Sequence, residues 1–374
     1  MKKHEGRILS SNPIELSSDD NFEIISVQIP DDMHGPGILA FYPSNYNLEV
    51  IHENTALYAA EGYNCVSVVS DAPKTEAVHT LINEIEKMES LVGGIAAIGF
   101  GDASSVAILS ADNSSIKCLV CYGAPKINDV NFKCSTVIHC GGNEKLTIKD
   151  DDKNLQLFSY PDSPSNFFTP LSADFDKPAT MIAYSRTLNA IRNTIGPIYN
   201  LTALWELHTH YEFGERDVDA TMSTMVEKPY VNHIPTMTGG VGYKDLKKFY
   251  TNFFVNSNPP DTKLVPISRT IGSDRLVDEM IFTYTHTCEI PWMLPNVKPT
   301  GKFVQVPLVA IVNFRGNKLY HEHIYWDQAS VLAQIGLIDP AGLPIVGYQA
   351  AEKLMDETLP SNELMGDVWI NTPE

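Results

Sequence analysis

The chain has 374 residues, with 27 Lys and Arg against 46 Asp and Glu, a formal charge of −19 and 43% hydrophobic residues. That length exceeds one ordinary domain of about 100–200 residues and suits two, each able to bury its own core. A chain this acidic, with no basic patch, repels phosphate backbones and anionic headgroups, which excludes nucleic acid and membrane surfaces as expected partners.

Residues 1–5 are charged and then polar, without the apolar segment of a secretory signal. No stretch reaches the roughly 20 apolar residues of a membrane span. Cys65, Cys118, Cys121, Cys134, Cys140 and Cys288 sit mostly in apolar or strand-like contexts. Reduced, packed thiols of this kind point to a cytoplasmic protein. Cys118 and Cys121 have CxxC spacing, but within the apolar run 116–122, which reads as a buried strand rather than an exposed redox turn.

In chain order, 37–41 reads as a buried strand, 53–61 as a helix ending at Gly62, and 65–69 as the next strand. A helix over 76–91 follows, then a strand at 94–99, a helix at 103–110, and strands near 117–122 and 135–139. Met181 to Thr194 makes a closing helix stopped by Gly196 and Pro197. Alternating strand and helix predict a parallel sheet covered on both faces. The acidic run 150–152 reads as a solvated loop.

After Pro197 the texture changes. A long helix over 198–226 with a break at Gly214 and a second over 243–254 precede strand-like runs at 264–271, 276–286, 303–314 and 318–325. Helices followed by long antiparallel strands describe an α+β domain. The expected division is therefore a first domain over 20–197, a second over 198–337, and an extension over 338–374 that wraps the second domain or a neighbouring subunit.

Several pieces of the first half carry a resemblance: Gly35-Pro36-Gly37 before the first strand, Ala60-Glu61-Gly62-Tyr63 closing a helix, Ile98-Gly99-Phe100 at a strand-to-helix elbow, and Tyr122-Gly123. On these it resembles the dienelactone hydrolase family of α/β-hydrolases. The resemblance implies a Cys, Asp and His triad, and the matching positions hold Gly101, then Asn143 or Glu144, then Asn166. Glycine offers no nucleophile, and asparagine cannot take and return a proton as imidazole does. The expectation is a catalytically inactive hydrolase frame; the rival is an ester or lactone hydrolase rebuilt around Asp102, Glu144 or His139.

The second half has Leu204-Trp205-Glu206-Leu207, then Val231-Asn232-His233-Ile234-Pro235-Thr236 before Gly239-Gly240, and Leu332-Ala333-Gln334-Ile335-Gly336 after a last strand. On these it resembles the SnoaL-like polyketide cyclases of the nuclear transport factor 2-like fold, which implies an α+β cone around an apolar cavity. Strand alternation groups Asp278, Met280, Phe282, Tyr284 and His286 on one face. On the last strand His321, His323, Tyr325 and Asp327 share a face opposite Glu322, Ile324 and Trp326, and which of the two looks inward stays open. The family's acid/base aspartate falls on Ile324, with Asp327 and Glu322 nearby.

The candidate catalytic residues are thus His286 as general base, Glu322 or Asp327 assisting, and His233. Tyr284, Trp292, His323 and Trp326 are candidate ligand contacts. His321 and His323 share a face without a third ligand at a recognisable spacing, so no metal and no cofactor is expected. His208 and His210, two apart on a helix, do not act as a pair. The expected function is cofactor-free cyclisation, dehydration or isomerisation of a small apolar oxygenated compound, in a homodimer. The alternative is a non-enzymatic binder of a small molecule or partner.

Overall fold

Short apolar runs of the first unit, Met1–Tyr199, pair into an eight-stranded sheet. The computed structural model describes residues 7–8, 22–30, 34–70, 74–126, 132–142, 144 and 153–373. The elements in order are β1 (Arg7–Ile8), β2 (Glu23–Ile29), β3 (Gly35–Tyr42), α1 (Leu48–Ala60), β4 (Asn64–Val69), α2 (Thr75–Glu86), β5 (Leu91–Phe100), α3 (Ser104–Leu109), β6 (Ile116–Tyr122), β7 (Ser135–Gly141), β8 (Leu155–Tyr160) and α4 (Lys177–Ile195). The sheet order is β1-β2-β4-β3-β5-β6-β7-β8. β3 to β8 run parallel, and β2 runs antiparallel to β4.

Side chains alternate across a strand, and β3 shows the result. Leu39 and Phe41 pack with Val78, Leu81 and Ile82 of α2 and Val106 of α3. Ile38, Ala40 and Tyr42 pack with Ile51 and Tyr58 of α1 and Leu188 and Ile191 of α4. Both faces are therefore covered, as near-continuous apolar strands require. Asp176 caps α4, its carboxylate accepting from Ala179 N at 3.1 Å. β2 and β8, which carry polar residues between apolar ones, were not expected from the sequence pattern.

The second unit, Asn200–Glu374, begins with α5 (Leu201–Thr209), whose last turn widens into a π-helical segment, His210–Glu215. Then come α6 (Val218–Ser223), β9 (Met225–His233), β10 (Thr238–Val241) and α7 (Gly242–Phe249), the last continued by a second π segment, Tyr250–Phe254. β11 (Lys263–Ile271), β12 (Arg275–Thr285), β13 (Phe303–Arg315) and β14 (Lys318–Trp326) follow, with α8 (Gln328–Gln334), α9 (Gln349–Met355) and α10 (Asp367–Ile370). The six-stranded sheet has the order β10-β9-β14-β13-β12-β11, antiparallel except where β14 meets β9.

The helix expected over 198–226 is interrupted at the π segment that contains Gly214, where a break was expected, but it ends sooner than expected, the chain being already in strand at Met225. Residues 338–374 belong to the second unit, where α9 packs on β13 with Ala351 buried. Among the described residues no helix is long and apolar enough to cross a membrane. All six cysteines are free thiols, and all but Cys288 are buried.

Candidate active site

Five elements of the second unit, β14, α5, the two π segments and β9, aim polar side chains inward. On β14 the buried positions are Leu319, Glu322, Ile324 and Trp326, while His321 and His323 are half-buried and Tyr325 is exposed. The inward face is therefore the one bearing Glu322. α5 buries His208 beside Trp205, their rings stacked at 5.7 Å. The first π segment carries Glu212 and the second carries Tyr250. Such widened turns re-aim a side chain relative to a regular helix and recur at functional sites.

His208 is completely buried and lies between two carboxylates. Its Nε2 is 3.1 Å from Glu212 Oε1 and 3.3 Å from Glu322 Oε1. Its Nδ1 is 2.6 Å from Thr224 Oγ1. That hydroxyl spends its own proton on Thr221 O at 2.7 Å, so it accepts from Nδ1–H. Burial alone would lower the His208 pKa, but Glu212 and Glu322 outweigh it and push it up to about 10. Burial raises Glu322, opposed by His208 and reinforced by Glu212. Burial, then the charges of Glu322 and Glu212, hold the Tyr250 phenol well above its ordinary value. Glu322 Oε1 and Tyr250 Oη have no hydrogen-bond partner. The 3.3 Å approach of Glu322 to His208 is thus an ion-pair contact whose proton is directed at Glu212.

These groups open on an apolar cavity lined by Trp205, Phe213, Met280, Phe282 and Trp292, together with Glu212, Glu322, Tyr250 and His233. It leaves about 40 Å³ for the centres of water-sized occupants, a few times what one water needs, which is the room of a few waters or one small ring. His233 on β9 donates Nδ1–H to Thr238 O at 3.1 Å, because a carbonyl can only accept. Nε2 therefore carries the lone pair, and burial lowers the imidazole pKa to about 4. Trp292 packs on that ring at 4.8 Å and is itself tied to Asn258 Oδ1 at 3.0 Å.

Of the residues nominated from sequence, Glu322, His233 and Trp292 line this cavity. His286 does not: it is buried beside Thr300 Oγ1, 3.2 Å from Nδ1, and burial lowers its pKa. Asp327 is exposed and caps α8, accepting from Ala329 N at 3.0 Å and Ser330 Oγ at 2.5 Å. Tyr284 is buried with its hydroxyl 3.3 Å from Met293 Sδ. Trp326 packs edge-on to Trp292 and donates to Gln328 Oε1 at 2.6 Å. His323 and His321 lie on the outward face against Tyr230. His208, Glu212 and Tyr250 were missed. The signal present was the i, i+4 spacing of His208 and Glu212, which on a helix puts both on one side.

In the first unit, the turn between β5 and α3 has Gly101 at φ +57°, and a Cβ there would meet nothing within 4 Å. At Gly99 a Cβ would lie 2.5 Å from Ser104 Cα. The turn thus has room for a side chain at 101 and demands glycine at 99. Asp102 is exposed and paired with Lys126 at 2.7 Å. Glu144 accepts from Gly141 N at 3.2 Å, and burial raises its pKa. Asn166 is exposed; Asn143 and the run 150–152 lie outside the described residues. His139 is buried between Tyr160 Oη at 3.1 Å and Thr187 Oγ1 at 3.0 Å. Burial, aided by Arg186, lowers its pKa to about 3.

No family model and no curated protein sequence matches the chain. Solved structures match part of it. TsrD from Streptomyces laurentii is 14% identical over 37% of this chain and 96% of its own, with a TM-score of 0.30. A candidate polyketide cyclase from Acidithiobacillus ferrooxidans is 20% identical over 36% of this chain and 92% of its own, TM-score 0.31. A candidate SnoaL-like polyketide cyclase from Jannaschia sp. CCS1 is 19% identical over 38% and 97%, TM-score 0.30.

Proposed function

We propose that the second unit is a SnoaL-like cone that performs acid/base chemistry, namely cyclisation, dehydration or isomerisation, on a small and largely apolar oxygenated compound. The observation that carries this reading is the buried His208, Glu212 and Glu322 cluster opening on an apolar cavity. Buried charges are costly and persist where they are paired or used. The apolar wall selects a compound without charge of its own.

In this reading the ligand's oxygen faces the Glu212, Glu322 and Tyr250 side of the wall, where it is polarised by accepting from the Tyr250 hydroxyl and from Glu322 in the protonated form that burial favours. Neutral His233 takes a proton from the adjacent carbon through the Nε2 lone pair. The electron pair of that C–H bond moves toward the polarised oxygen, giving an enol or enolate. Return of the proton to a different carbon isomerises the compound, loss of a β-hydroxyl dehydrates it, and attack on an internal carbonyl closes a ring. Trp292 and Thr238 hold the imidazole in the tautomer that leaves Nε2 free.

We propose that the first unit is a degenerate hydrolase frame. Its support is the strand-to-helix elbow with an open position at positive φ occupied by Gly101, where a nucleophile would sit. The matching histidine position is the exposed Asn166.

For ring-sized enones, hydroxy ketones and diketones incubated with the full chain, mass spectrometry identifies dehydration, which alone loses water, and NMR of the mass-neutral products separates isomerisation from ring closure. Turnover of one class, abolished in Glu322→Ala and in His233→Ala, is expected. Turnover unchanged in both variants contradicts the assignment. A fluorophosphonate or iodoacetamide probe that labelled the β5–α3 elbow would overturn the inactive frame.

A further inference from the structure

The His208, Glu212 and Glu322 cluster has a charge imbalance. Two carboxylates share one imidazole, all three are buried, and Glu322 Oε1 has no hydrogen-bond partner. Their three ligand atoms lie within 4.8 Å of one another. Two of the edges, 3.1 and 3.3 Å from His208 Nε2, match the roughly 3.0–3.4 Å between neighbouring ligands around a metal with bonds near 2.0–2.2 Å. One imidazole nitrogen with two carboxylates is a donor set for a divalent ion, and a dication would neutralise both carboxylates while His208 stays neutral.

Two further observations point the same way. His208 Nδ1–H is committed to Thr224 Oγ1 at 2.6 Å, itself fixed on Thr221 O, which leaves Nε2 as the ligating atom. Ligating histidines are held in this way by a partner on the other nitrogen. Independently, Tyr250 is fully buried on the same cavity wall with its hydroxyl unpartnered. A buried hydroxyl without a partner is costly unless something else occupies the space it faces.

We propose that His208, Glu212 and Glu322 bind one first-row divalent cation of the zinc, manganese or ferrous-iron class, with its open positions toward the apolar cavity and Tyr250 set to hydrogen-bond a group bound there. This deepens the acid/base reading and rests on it, by naming what polarises the ligand's oxygen. It replaces the sequence expectation of no metal, which weighed His321 with His323, Cys118 with Cys121 and the run 150–152, but not His208 with Glu212 and Glu322.

The test is binding by the chelator-stripped full chain. Cobalt(II) is titrated while its visible absorption is followed, and zinc and manganese are titrated calorimetrically. One ion per chain is expected. Affinity should fall by more than about 100-fold in Glu322→Gln and Glu212→Gln, and by about 10- to 100-fold in Thr224→Val. It should be unchanged in the outward-facing double variant His321→Ala, His323→Ala. Near-ultraviolet circular dichroism shows which variants keep their fold, and the two glutamine variants duplicate each other should one of them lose it. No saturable binding, binding undiminished in folded Glu322→Gln, or binding lost only with His321 and His323 overturns the site. Turnover by stripped protein that binds no cation sinks this inference and leaves the acid/base reading standing. Stoichiometric cation binding without turnover does the reverse.

Discussion

Each unit buries a histidine, and the two are treated differently. In the first, His139 has both nitrogens satisfied, by Tyr160 and Thr187, and Thr187 also bonds Tyr122 at 2.9 Å. In the second, His208 is caught between two carboxylates of which one keeps an oxygen in ion-pair contact but without a hydrogen bond, beside a cavity. The first arrangement closes its hydrogen bonds inside the protein and holds β7, β8 and α4 together. The second leaves polar capacity facing a void that a ligand can fill. A buried polar group marks a functional site when its partners are incomplete and there is room beside it.

The largest expected effect sharpens that contrast through stability. His208→Ala leaves Glu212 and Glu322 buried without their cation and should cost about 3–5 kcal/mol in denaturant unfolding. In the first unit Arg192 and Glu61 form a buried pair at 2.5 Å, with Tyr184 also on Glu61 at 2.9 Å. Arg192→Ala should cost about as much, yet leave turnover by the folded protein unchanged. Equal loss of turnover in folded Arg192→Ala protein would break the division of labour.

Acidification gives the next effect. The folded pKa of His139, about 3, lies below its ordinary value near 6.5. Its neutral form is favoured in the fold, so its contribution is full above about pH 6.5 and is lost as pH falls toward 3. A stability profile of wild type against His139→Gln should show a flatter acid limb in the variant. Profiles that stay parallel down to pH 4 would mean that His139 does not carry the limb.

Backbone and cap substitutions come last. Gly101→Cys meets no atom and bears only the strain of positive φ, about 1–2 kcal/mol. Gly99→Ala should cost more, because Ser104 Cα cannot yield. Reversal of that order in thermal unfolding would show that the turn is not built as described. Asp327→Ala removes the α8 cap and should cost about 1 kcal/mol with ligand binding unchanged.

Much of the fold was legible where one period dominates. β12 to β14 show alternation, and the apolar runs of β3 to β7 show burial on both faces. β9 was not, because Glu227, Lys228 and Pro229 interrupt its pattern. In the site, Glu322 could be nominated but not oriented, since β14 carries titratable side chains on both faces. Tyr250 was hidden for a different reason: it opens a π segment, where the helical register that predicts which side faces inward no longer holds, whereas Glu212 was legible only as the i+4 partner of His208. Asp327 looked catalytic by proximity, but a carboxylate just before a helix is more simply its cap.

The most direct test of the account places the chemistry in one unit. A ring-sized ketone turned over by the full chain is incubated in D2O, and loss of its α-protons is followed by NMR for wild type, Glu322→Ala, His233→Ala and Gly101→Ala. Exchange is expected in wild type and Gly101→Ala, with at least about a 100-fold slower rate in the other two. Exchange that survives both Glu322→Ala and His233→Ala, or that is lost in folded Gly101→Ala, would contradict that placement.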